Sequence, residues 1–297
     1  MERIGELVKV DETYLIRFNG KKLVSSKNRE ACTSRLALSK AAQKLGVTDY
    51  VDRTGEDGDS VEGASKFKQS EYEIGKRFEF MEQLTRLVVE KNTPSLIITG
   101  DSGTGKSHTV LDVIKASEMT EGVDYIVIKG FTTPKSMYRI LYEFHNKLVI
   151  FDDCDSVLKD AVALNILKAA LDSYDRRVIH YRTEKASDLP TNFEFTGQVI
   201  FISNYPAEKM NDALISRSIL IDVSMSIEDR IERIRQILGD LGPENATIEQ
   251  KTDVLDLMIE KQKEAFDFSL RTFLRGLKIR MHVDNNWKEL ASYMITR

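Results

Sequence analysis

Lys106 and Ser107 close an eight-residue run, Gly100 to Ser107 (GDSGTGKS), that fits the pattern G-x-x-x-x-G-K-[ST] in full. These residue types suit the holding of a phosphate chain. Glycines let the backbone wrap so that several N–H groups point inward at phosphate oxygens. A helix starting at Gly105 or Lys106 would offer its positive end to the same anion. Lys106 would reach the β- and γ-phosphates and Ser107 would ligate Mg²⁺. The expected nucleotide contacts are therefore Gly100, Asp101, Ser102, Gly103, Thr104, Gly105, Lys106, Ser107 and the adjoining His108. Further on, in KLVIFDDCD, an apolar run ends in Asp152. That puts a carboxylate at the edge of a sheet, where Asp152 would hold Mg²⁺ through water and Asp153 would orient an attacking water.

Such groups need a frame. The runs SLIIT, YIVIK, KLVIF, QVIFIS and ILIDV are almost wholly apolar. They fit strands buried on both faces of a parallel sheet. Helical patterns lie between them in GKSHTVLDVIKAS, TPKSMYRILYEFHN and DAVALNILKAALDSY. The alternation predicts a three-layer α/β domain with a parallel sheet. Ahead of it, YEIGKRFEFMEQLTRLVVEKN predicts an amphipathic helix with Phe80, Leu84, Leu87 and Val88 on one stripe. From Ser226 onward only helical patterns remain, which predicts a small all-helical domain over 226–297. The α/β domain then spans 71–225. The acidic stretch over 49–70 reads as a linker. Residues 1–48 read as a small separate unit. There Asn19-Gly20 predicts a β-hairpin, and 25–46 predicts a helix with Ser25 or Ser26 as cap and Gly46 as stop.

The bulk properties narrow the class. The 297 residues are 41% hydrophobic and 30% charged, with a net charge of −4, which fits a globular chain and not a polycation that coats nucleic acid. No apolar run has the length of a membrane span, and the opening residues lack a signal-peptide core, so no membrane partner and a cytoplasmic location are expected. Cys32 and Cys154 belong to no C-x-x-C and the four histidines are scattered, so a reducing compartment and no zinc site are expected.

With its motifs in this order, the sequence resembles the AAA+ ATPases over about Glu71 to Arg297, in wording most like those encoded by large tailed bacteriophages. If phage-encoded, it would work in the host cytoplasm. The resemblance implies ATP and Mg²⁺ as cofactors and a homo-oligomer, typically a hexameric ring. It implies that the C-terminal helical domain is a lid and that Asn204, ending QVIFISN, is the sensor-1 residue. Arg217, in NDALISRSILIDV, matches the arginine finger that reaches a neighbour's ATP, and Arg271, in FSLRTFL, matches the sensor-2 arginine; Arg275 and Arg280 share its basic stretch. The family usually has Asp-Glu where this chain has Asp152-Asp153. Ile74-Gly75 resembles the segment that wraps adenine; Tyr72, Phe78 and Phe80 beside it are read as core first and adenine contacts second.

Two loops are candidates for a threaded polymer. Lys129, Gly130 and Phe131 follow the second strand run; Phe131 either grips the polymer or starts the next helix. Arg176, Arg177, His180, Tyr181, Arg182 and Lys185 interleave basic and aromatic groups, a pattern suited to single-stranded nucleic acid on a long hairpin. The leading expectation is a DNA-metabolism motor, such as a helicase or helicase loader. A protein remodeller using residues 1–48 as adaptor and a low-turnover, ATP-dependent assembly switch are the alternatives.

Overall fold

Residues 3–10, 13–18, 21–27, 29–34, 36, 39–45, 47–52, 71–172, 176–182 and 188–297 are described by a computed structural model. The chain forms two units, Met1–Lys66 and Phe67–Arg297.

The first unit contains β1 (Arg3–Val10), β2 (Thr13–Phe18), β3 (Lys21–Ser26), α1 (Arg29–Ser34), α2 (Lys40–Leu45) and β4 (Val47–Asp52). The strands lie in the order β3-β2-β1-β4, with β4 parallel to β1 and the other pairs antiparallel. Phe18 faces Lys21 across the β2–β3 hairpin, the register a two-residue Asn-Gly turn gives; the turn residues lie outside the described residues. The core gathers Leu7, Ile16, Leu23, Val24, Cys32, Leu36, Ala42 and Val47.

Two expectations change here. The single helix over 25–46 is two short helices, and Ser25 and Ser26 belong to β3. Leu36 is buried between the helices, and Ser39 starts the second by accepting from the Ala42 N–H at 3.3 Å. The unit also extends beyond residue 48, because β4 pairs with β1 as far as Asp52. The linker expected over 49–70 therefore begins no earlier than 53, and 53–70 lie outside the described residues.

The second unit opens with α3 (Ile74–Val89). Its buried face is Ile74, Arg77, Phe78, Met81, Thr85 and Val88, while Leu87 is exposed and Phe80 and Leu84 are half-buried. The predicted stripe is thus rotated, because the polar Arg77 and Thr85 find partners inside. Arg77 donates to the Ser224 carbonyl and pairs with Asp229, and the Thr85 hydroxyl donates to the Met81 carbonyl.

The five apolar runs follow as β5 (Ser95–Thr99), β6 (Tyr125–Lys129), β7 (Leu148–Asp152), β10 (Gln198–Ile202) and β11 (Ile219–Asp222), with the three-residue strands β8 (Val178–His180) and β9 (Asn192–Glu194) between them. The main sheet is wholly parallel, in the order β11-β5-β10-β7-β6. Successive side chains of each strand enter opposite cores. Leu96 and Ile98 pack under α3 and α4 (Lys106–Ala116), while Ile97 joins the core of α5 (Pro134–Glu143) and α6 (Ala161–Ala170). This is the predicted three-layer arrangement. The order inserts β10 between the strand that feeds the glycine-rich loop and the strand that ends in Asp152.

A short α7 (Asp212–Ile215) precedes β11, and four helices end the unit: α8 (Ile227–Gln236), α9 (Ile248–Glu260), α10 (Leu270–His282) and α11 (Trp287–Ile295). Ser226 and Asp229 form a capping box that starts α8. The four helices share a core around Ile234, Val254, Met258, Phe273, Leu277 and Trp287. Although 71–225 and 226–297 read as separate domains, they form one unit here.

Candidate functional site

The Gly100–Ser107 run turns sharply out of β5 into α4, which begins at Lys106. Gly100 has φ of 141°, and a Cβ there would lie 2.9 Å from the Val223 carbonyl carbon. At Gly103 a Cβ would lie 2.8 Å from the Ser269 Cβ. Only glycine lets the loop pass between β11 and the helical region so closely.

Lys106 is 5% exposed and its ammonium is fully engaged. It donates to the carbonyls of Gly100 at 2.7 Å and Asp101 at 2.6 Å, and to Asn204 Oδ1 at 2.9 Å. Burial lowers its pKa to about 8, against the opposing pull of Asp101, Asp153, Asp152 and Asp155. Ser107 Oγ donates to Asp152 Oδ1 at 2.7 Å. Asn204 follows β10, and its amide donates to Asp153 while its carbonyl accepts from Lys106. Asp153 has φ of 61°, in the left-handed region that few non-glycine residues adopt. Its N–H is held by the Ile202 carbonyl at 3.0 Å. Strand order, loop and polar residues together form one cluster at the C-terminal ends of β5, β10 and β7.

The fold is a three-layer α/β domain on a parallel sheet, with a helical C-terminal region.

No family model matches the chain. A protein of Enterobacteria phage T4, described as an uncharacterized 36.7 kDa protein in the nrdC-mobD intergenic region, is 27% identical over 271 residues, 84% of this chain and 83% of that protein. Among solved structures, a crystal structure of the FIGL-1 AAA domain is 14% identical with a TM-score of 0.45, over 75% of this chain and 80% of that one. The FIGL-1 AAA domain in complex with ADP is 14% identical with a TM-score of 0.42, over 74% and 76%.

A cavity of about 1100 Å³ opens above the Gly100–Ser107 loop. Ser102 to Thr109, Asp152, Asp153 and Asn204 form its floor, and Arg233, Ile237, Leu241, Leu270, Arg271 and Leu274 its helical wall. Arg271 is thus brought to the loop. Arg217 is not among the lining residues; it lies 3.5 Å from Asp172 and donates to the Ala213 carbonyl at 2.8 Å. His108 lines the cavity rim, where it meets Asp112 at 2.6 Å. None of Tyr72, Ile74, Gly75, Phe78 and Phe80 lines the cavity. Ile74 and Phe78 are core, and Tyr72 packs edge-on to Phe80 at 5.1 Å. The end of the cavity away from the loop is walled instead by Glu82, Arg86, Val113, Ala116, Ile237 and Leu241.

Both candidate polymer loops differ from expectation. Lys129 is exposed but pairs with Asp152 Oδ2 at 3.6 Å, because the carboxylate at the end of the neighbouring strand attracts it. Phe131 does not start the next helix, which begins at Pro134 behind the Thr133 cap; it stands 79% exposed. Among the described residues the second hairpin pairs β8 with β9 over three residues each. Arg177 is buried there, donating to the Ala170 and Gly197 carbonyls at 2.8 and 2.5 Å over the Phe195 ring. Tyr181 stacks on Tyr138 at 5.2 Å, and Arg176 pairs with Glu194 at 3.3 Å. His180 and Arg182 remain exposed; Lys185 lies outside the described residues.

Further contacts tie the helical region to the loop and went unread in the sequence. Arg230 donates to Asp101 Oδ2 and to the Phe268 carbonyl, at 2.8 and 2.9 Å. The Leu270 N–H donates to the Gly103 carbonyl at 3.0 Å. Ser203 donates to Asp155 at 2.5 Å, bracing the segment that carries Asn204. The spacing of Arg230 after Ser226 gives a place on a helix, but nothing local names Asp101 as its partner. No described helix is long and apolar enough to cross a membrane.

Proposed function

We propose that the chain is a Mg²⁺-dependent AAA+ ATPase, acting as a homo-oligomer with a hexameric ring as the expected assembly, that couples hydrolysis to movement along a polymer. The carrying observation is the convergence of Lys106, Ser107, Asp152, Asp153 and Asn204 at the C-terminal ends of three adjacent strands. The loop N–H groups and the positive end of α4 bind the triphosphate. Lys106 exchanges its carbonyl acceptors for β- and γ-phosphate oxygens. Ser107 and Asp152 offer a pair of hard oxygen donors, the small protein share that Mg²⁺ favours beside phosphates and water. Ser107 would hold it directly and Asp152 through water, and the ion supplies neutralisation of phosphate charge. Asp153 orients the attacking water, and Asn204 fixes Asp153 and senses the γ-phosphate. Arg271 closes on the nucleotide from α10. Arg217, lying off its own cavity, serves the ATP of the neighbouring subunit.

For the polymer we favour single-stranded nucleic acid. The support is Phe131, whose exposed ring suits base stacking, with exposed Lys135 as the second residue of α5. Among the described residues the second hairpin adds His180 and Arg182. The test is steady-state ATPase with and without single-stranded DNA at low and moderate salt, on wild type and Phe131→Ala. Stimulation that survives moderate salt and disappears in Phe131→Ala is expected. Turnover indifferent to DNA would transfer the reading to a protein remodeller with the first unit as adaptor. Tight ATP binding without turnover would leave an assembly switch.

A further inference from the structure

Arg233 is an arginine without an acceptor. It sits on α8 one turn past Arg230, with its guanidinium carbon 4.1 Å from the centre of the Phe78 ring. Its Nε is buried with no hydrogen-bond partner, and no described residue forms a hydrogen bond or ion pair with the group. Arg230 beside it is satisfied by Asp101 and Phe268. Of its donors Nε alone is buried without a partner, while the terminal nitrogens of the fork are accessible. Burial pushes the Arg233 pKa down, with Glu82 opposing, yet an arginine stays charged at neutral pH. The stacking on Phe78 holds the fork in place against the cavity wall.

The position along the helices indicates which part of a ligand would reach it. Arg230 touches the loop, and Arg233 stands three residues further along α8, about 4.5 Å of helix rise away. Ile237 follows on the same face. On α4, Lys106 is at the loop, and Val113 and Ala116 lie about 10–15 Å along the axis. Both helices carry the cavity away from the phosphate end, where these apolar residues and Leu241 stand among Glu82, Arg86, Asp112 and Asp240, a mixed lining that offers a base both a face and polar edges.

We propose that Arg233 is a specificity-determining residue that donates to an acceptor on the nucleoside of the bound nucleotide: a ring nitrogen, a carbonyl or a ribose oxygen. This assignment rests on the phosphate-site reading above. The accessible terminal nitrogens of the fork make that bond, so the group rewards a nucleotide over a bare phosphate chain.

The test is calorimetric titration of the full chain with ATP and with inorganic tripolyphosphate, in Mg²⁺ buffer. Arg233→Met keeps an apolar stem on Phe78, and Arg233→Lys keeps charge without the flat fork. In both, the ratio of ATP affinity to tripolyphosphate affinity is expected to fall about tenfold or more, the scale of a hydrogen bond to a charged group. Retained tripolyphosphate binding serves as the folding control. A ratio unchanged within about twofold in both variants would overturn the assignment. Tripolyphosphate that fails to bind wild type, or binds Lys106→Ala equally well, would instead overturn the phosphate-site reading beneath it.

Discussion

The phosphate loop and the β8–β9 hairpin are both rich in polar and charged groups, and they use them in opposite ways. Around the loop, Lys106, Ser107, Asp152, Asp153 and Asn204 meet at the floor of an open cavity. Around the hairpin, Arg177 is spent on two buried carbonyls, Arg176 on Glu194, and Arg139 on Asp188 at 3.0 Å. The first region gathers its internally bonded polar groups on the floor of an open cavity; the second uses them to hold its own backbone. Charge content alone does not separate the two. What separates them is whether the bonded groups line an open cavity.

Arg217 tests this comparison most strongly, because its ion-pair partner Asp172 lies at the foot of the hairpin. If it serves a neighbour's ATP, Arg217→Ala should retain ATP binding and lose about a thousandfold in turnover. Mixing those subunits with Asp153→Ala subunits should recover part of the rate. Absence of recovery at every mixing ratio would assign Arg217 to the hairpin's internal bonding.

Arg177 gives the next effect. Arg177→Ala leaves two buried carbonyls without a donor and should lower unfolding stability by about 2–4 kcal/mol in urea titrations. Arg176→Ala, at an exposed ion pair, should change it by about 0.5 kcal/mol or less. Equal effects would erase the contrast between the buried and exposed arginines.

The smallest effect is in pH. Lys106 has its pKa lowered to about 8 from 10.5, so the free protein sheds this proton as pH rises through 8. Bound phosphate favours the ammonium and raises the pKa again. ATP affinity should therefore weaken above pH 8, by up to about tenfold per pH unit, with a proton taken up on binding. Calorimetry in two buffers of different ionisation enthalpy reads that proton. Without nucleotide the unfolded chain holds the proton that the folded one sheds, so this group makes stability rise between pH 8 and 10.5. Proton release on binding at pH 8.5 would contradict the burial of Lys106.

The same contrast explains what could be read from sequence. The β5-loop-α4 segment was legible because its spacing encodes backbone geometry, and the main strands were legible because burial on both faces removes polar residues from them. The hairpin was misread because its pattern does not say which side chains point inward; that depends on register. Lys129 looked like a polymer contact until the parallel pairing of β6 with β7 set it beside Asp152. Arg230 and Asp101 are 129 residues apart, and no local periodicity links them. The last helix, α11, follows an Asn286 that makes no side-chain cap, so its start carried no signal.

Mg²⁺-dependent ATP hydrolysis by wild type and Lys106→Ala, with nucleotide binding followed in parallel, is the most direct test of the converging site. The account predicts that wild type binds and turns over ATP and that Lys106→Ala does neither. Equal binding and turnover by the two proteins would contradict it.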